Sequence, residues 1–107
     1  MATNNWTTRY QETQAYAQAI RARAQRITEM IVADARKTCR AAGLDSSLLG
    51  IHPHNAMVSA HYGKPWPGVD YSLVRKTLWL IERSYEPHRI ADRVVQRAFD
   101  HLMEGGR

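Results

Sequence analysis

With 107 residues, 44% of them apolar, the chain is sized for one domain spanning residues 1–107, long enough to bury about two thirds of its unfolded surface without staples. A single cysteine, Cys39, excludes an internal disulfide, and neither a signal-peptide core nor a run of about 18 apolar residues is present, so a cytoplasmic, reducing setting without a membrane is expected. Fifteen Lys and Arg against ten Asp and Glu give a net charge of +5 and a pI near 9.8, a balance that favours nucleic acid or acidic protein surfaces as partners without choosing between them.

The opening MATNN is polar and reads, with the next three residues, as a flexible N-terminus of residues 1–8. Thr8 stands three positions before Gln11, the spacing of a capping box, which predicts a helix starting near Arg9. From there Tyr16, Ile20, Ala24, Ile27, Met30, Ile31, Ala35 and Thr38 recur at three- and four-residue steps and form the expected inner stripe. Gln18, Ala22, Gln25, Arg26, Glu29, Arg36 and Arg40 fall on the other side, and the first interruption is Gly43, a natural residue to end a helix. A helix of about 34 residues is about 50 Å long, whereas a compact domain of this size has a radius of gyration of about 13 Å. Either the helix breaks, or it forms the spine of a bundle lined by two shorter helices, or it pairs with a second copy of itself.

Residues 43–69 form a connector too long to be structureless. Asp45 before SSLL can cap a short turn, and Pro53 can open a further helical turn through Met57 to His61; a strand with Val58, Ala60 and Tyr62 alternating is the other reading. Asp70 then caps a second helix whose stripe is Val74, Leu78, Ile81 and Tyr85, widened by Leu73, Trp79 and Leu80. That breadth suits a helix with two neighbours or one that meets a partner. Pro87 ends this helix or opens the next, in which Ile90, Val94, Ala98 and Leu102 face inward with Ala91, Val95 and Phe99 beside them, up to Gly105. The expected fold is all-α: a small helical bundle with a long N-terminal helix, an ordered connector and a C-terminal helical pair.

Residues that carry chemistry concentrate in HPHNAMVSAHYGKPWPG, residues 52–68. His52, His54 and His61 do not share a face at ligand spacing in either a helical or an extended reading, and no metal or other cofactor is expected. Cys39 has Arg36, Lys37 and Arg40 around it, which favours a thiolate, but it sits at a helix C-terminus, which does not; it reads as an inert, partly buried thiol. Ser59 lacks a nucleophile-elbow context, Asp92, Asp100 and Glu104 read as partners of neighbouring arginines, and the chain is read as a non-enzyme with no catalytic residues.

Two functions remain. Arg89, Arg93 and Arg97 make a ladder at i, i+4 and i+8 that repels itself unless acids or phosphates answer it, and with Arg26, Arg36, Arg40 and Lys64 it forms the expected nucleic-acid-binding set. The alternative is a protein-binding inhibitor, adaptor or assembly factor that uses the apolar surface of the second helix and Trp66, a ring held between two prolines, with Tyr62 and Trp79. A homo-dimer through the long N-terminal helix is compatible with both.

Overall fold

The computed structural model describes residues 2–49 and 67–105. It is all-α: α1 spans Ala2–Ala41, a 3-10 turn spans Ser46–Leu49, α2 spans Tyr71–Ser84 and α3 spans Glu86–Gly105, with no strand among the described residues. The fold class and the order of the helices are those expected from the sequence. The reading of residues 53–61, as helical turn or strand, lies outside the described residues.

The long helix does not break. The chain divides into two compact units, one of Met1–Ile27 with Glu86–Arg107, the other of Thr28–Tyr85. In the first, the N-terminal part of α1 pairs with α3; in the second, its last turns pack with α2 and the 3-10 turn. The helix also starts earlier than Thr8 and Gln11 imply, since α1 already runs from Ala2 and Thr8 lies within it. Residues 2–8, ATNNWTT, are mostly weak helix formers but hold neither Gly nor Pro, so a capping-box spacing beside them marks no boundary when the strong helix that follows extends back through them.

The inner face of α1 shares Ala24 and Ala35 with the expected stripe but is rotated from it by about 60°. Ala17, Ala24, Ala35, Cys39 and Ala42 are buried, whereas Tyr16, Ile27 and Met30 are exposed, Met30 by 70%. Alanine at the line of contact lets a neighbouring helix come close, and the bulky side chains are displaced to the margins. Tyr85, the C-cap of α2, is exposed too, as is Ile90 on α3, where Ala91, Val95 and Leu102 are the buried residues.

Unit Thr28–Tyr85 is built around Ala35, Cys39, Ala42, Leu44, Leu49, Val74, Leu80 and Ile81, with Ile31, Val69, Leu73 and Leu78 packed on them. Two buried hydroxyls join this core, and both satisfy themselves on helix carbonyls. Thr77 Oγ1 donates to the Leu73 carbonyl at 2.8 Å and Ser84 Oγ to that of Ile81 at 2.6 Å. The Ser84 carbonyl accepts from Thr28 Oγ1 at 3.1 Å, which ties α2 to α1.

The end of α1 is a Schellman motif. Gly43, at φ 86°, donates to the Arg40 carbonyl at 3.0 Å, and Leu44 N–H reaches that of Cys39 at 3.1 Å while its side chain is buried. Asp70 N–H donates to the Ala42 carbonyl at 3.0 Å, so the end of α1 and the cap of α2 are fastened together. A Cβ on Gly43 would stand 3.0 Å from the Gly68 carbonyl oxygen. Gly43→Ala therefore combines left-handed strain with a backbone collision and is expected to destabilise by about 1–3 kcal/mol in urea unfolding. Gly68→Ala, at φ 75° but in open space, should cost less. Equal losses would show that the collision relaxes freely.

Asp70 caps α2 as its position implies, accepting from Ser72 N–H at 3.0 Å, Ser72 Oγ at 2.6 Å and Leu73 N–H at 3.4 Å. The Ser72 hydroxyl above all, with the Leu73 N–H, holds its carboxyl below the usual carboxylate range. A depressed native value means the charged cap stabilises above the unfolded value, about 3.9, and that this contribution is lost as pH falls through the native one. Asp70→Asn keeps an acceptor but no charge, so its unfolding midpoint should lie below that of the parent at pH 7 and converge with it towards pH 2. A gap that does not change with pH would assign the loss to geometry alone.

Candidate nucleic-acid interface

Four-residue steps on a helix advance about 6 Å along the axis and rotate by only about 40°, so Arg89, Arg93 and Arg97 lie in one gently winding row. Ala91, Val95 and Leu102 fix which side of α3 is buried, and the row falls opposite them, with all three arginines exposed. Two of the acids expected to answer the row have contacts of their own. Asp92 faces Arg21 of α1 at 4.0 Å, and Asp100 accepts from Gln96 at 2.9 Å. The Arg21–Asp92 pair is largely solvated on both sides, so it is a weak contact, but it draws Asp92 away from the ladder.

The remaining cations expected to contribute are dispersed. Arg26, Arg36 and Arg40 are exposed on α1, Arg26 in one unit and the other two in the second. Eight basic and five acidic residues fall in the first unit, seven and five in the second, so the excess charge is shared and the ladder is its one ordered element. Lys64, Trp66 and Tyr62 lie outside the described residues, as do His52, His54 and His61. Of the expected protein-binding residues Trp79 remains. It is half exposed on α2, with the Arg83 guanidinium 4.9 Å from its ring centroid, a cation–π contact along one helical turn.

Two features were not anticipated. Trp6 and Tyr10 stack at 5.8 Å with 13° between their planes, and Tyr10 meets Phe99 of α3 at 5.9 Å, tilted by 59°. The signal was present as an i, i+4 aromatic pair, hidden by starting the helix after Trp6. An open cleft of about 300 Å³ lies between Arg9, Glu12 and Thr13 on α1 and Ala98, His101 and Leu102 on α3. Its polar groups are partly committed to structure, since Arg9 Nη1 donates to the Gly105 carbonyl at 3.3 Å and Thr13 Oγ1 to that of Arg9 at 2.7 Å.

Among the described residues no three His, Cys, Asp or Glu side chains gather as metal ligands, and no helix is long and apolar enough to cross a membrane. Cys39 is buried in the core, its Sγ 3.7 Å from the Asp45 carbonyl. Burial pushes the thiol up, the charge of Asp45 adds to this, and Arg40 opposes both. The arginine environment read in the sequence is therefore outweighed by desolvation. Native Cys39 should react with a thiol reagent at least about a hundredfold more slowly than in urea, in step with local opening. Fast native labelling would show that the end of α1 opens readily.

Compared with protein-family models, curated proteins and solved structures, the chain matches none.

Proposed function

We propose that this chain is a non-enzymatic, nucleic-acid-associated protein in which Arg89, Arg93 and Arg97 contact phosphates and Arg26, Arg36 and Arg40 add diffuse attraction. The observation that carries this reading is the exposed row itself, from which the neighbouring acid Asp92 is drawn to Arg21. Like charges one helical turn apart repel, and a polyanion removes the cost of setting them in one solvent-facing row. The guanidinium pairs bidentately with phosphate, which suits arginine, rather than lysine, in such a row. A lone thiol buried in the core supports a reducing, cytoplasmic compartment.

Anisotropy titrations against labelled duplex and single-stranded oligonucleotides test this. Three phosphate contacts on duplex alone predict a roughly 40-fold loss of affinity between about 50 and 200 mM salt. Arg93→Ala with Arg97→Ala should weaken binding at low salt and flatten the salt slope by about 2. No binding at the lower salt, or an unchanged slope in the double variant, sinks the reading.

A second reading has one observation in its favour. Trp79 on α2 and Tyr85, its C-cap, are both about half exposed, a surplus of large apolar surface that a protein-binding adaptor or inhibitor would use. It predicts partner capture that is insensitive to salt and lost in Trp79→Ala.

A further inference from the structure

The unit of Met1–Ile27 with Glu86–Arg107 is a pair of antiparallel helical segments: Tyr10 meets Phe99, Arg21 faces Asp92 and Arg9 reaches Gly105. Its fully buried residues are Ala17, Ala24, Ala91, Val95 and Leu102, three alanines among five. Two helices make one layer, and a stable core needs a second layer against it. The side chains that such a layer would cover are present and large. Tyr16 is 48% exposed, Ile27 39% and Ile90 49%, and Ile20 and Val94 are only partly buried.

These residues share one side of the pair. The Tyr10–Phe99 and Arg21–Asp92 contacts mark one side, and the cleft between Thr13 and Ala98 opens on the other. From Ala98 the row on α3 continues at four-residue steps through Val94 to Ile90; from Thr13 the row on α1 continues through Tyr16 and Ile20 to Ile27. Because the segments are antiparallel, both rows run over the same stretch of the pair and form one apolar face.

We propose that this face is the interface of a homo-dimer, covered by the same face of a second copy to form a four-helix arrangement about a two-fold axis. The dimensions suit a modest dimer interface. α3 is about 30 Å long and two helices packed about 8–10 Å apart are about 18–22 Å across, a footprint of about 540–660 Å² per copy, somewhat below the roughly 800 Å² per partner of standard interfaces. Charge fits as well, since Glu12 and Arg23 on α1 and Glu86 and Arg97 on α3 border the face with both signs, and a two-fold axis can set each against its opposite. The interface leaves Arg89 and Arg93, on the far side of α3, free, and Arg97 stands at its border.

Sedimentation velocity of the full chain, without nucleic acid, at about 2–200 µM tests it. The expected result is a dimer of 12.3 kDa chains that dissociates on dilution. Ile27→Glu with Ile90→Glu should weaken it at least about a hundredfold with helicity retained by circular dichroism. Should that variant unfold, Tyr16→Arg, a change at a half-exposed position, should still weaken the dimer about tenfold or more. Met103→Glu, on the opposite side, should leave it unchanged. A monomer at the highest concentration, or a dimer indifferent to Tyr16, Ile27 and Ile90, overturns the proposal.

Discussion

Close packing along an alanine line on α1 governs much of what this chain does. Ala17 and Ala24 meet α3, Ala35 and Ala42 belong to the core that includes α2, and the helix that carries them is continuous from Ala2 to Ala41. A buried alanine removes little apolar area from water, so the gain comes from what its smallness permits: neighbouring helices near the short end of the usual 8–10 Å separation, with many weak dispersion contacts. The same choice forces isoleucine, tyrosine and methionine to the margins. The exposed apolar surface is thus a direct counterpart of the alanine line.

The two units answer this differently. Thr28–Tyr85 supplements its alanines with Leu44, Leu49, Val74, Leu80 and Ile81, and gathers them with the help of a turn at Gly43 and a cap at Asp70. The unit containing α3 has Val95 and Leu102 as its only fully buried large residues among those described. Arg89 and Arg93 lie on a different side of that same pair from the apolar rows, and Arg97 stands at the border where a surface for polyanions and a surface for a second chain would adjoin.

Much of the architecture was legible because it rests on local chemistry. Gly43, Asp45, Asp70, Pro87 and Gly105 each carry a conformational or hydrogen-bonding preference that needs no distant partner, and the elements begin and end close to them. The rotation of the inner stripe was not legible, since periodicity weighs bulk as inwardness and alanine hardly registers. Thr77 and Ser84 escaped for a related reason: a hydroxyl counts as polar in a pattern, yet once bonded to a carbonyl one turn back it is compatible with a core. Of the candidate site, the ladder's spacing and exposure followed from the sequence. Which acids turn away from it did not, because Asp92 chooses Arg21 across helices, and that choice depends on tertiary structure.

The junction of Ala42, Gly43, Gly68 and Asp70 has a consequence for how this chain can vary. It fastens the end of α1 to the cap of α2 directly, so the register between those helices is set where they meet and not by the chain that runs from one to the other. Such a clasp makes the two helix ends one unit: a change at Gly43 or Asp70 is felt in both helices at once, since neither the turn nor the cap can shift without disturbing the bond from Asp70 N–H to the Ala42 carbonyl.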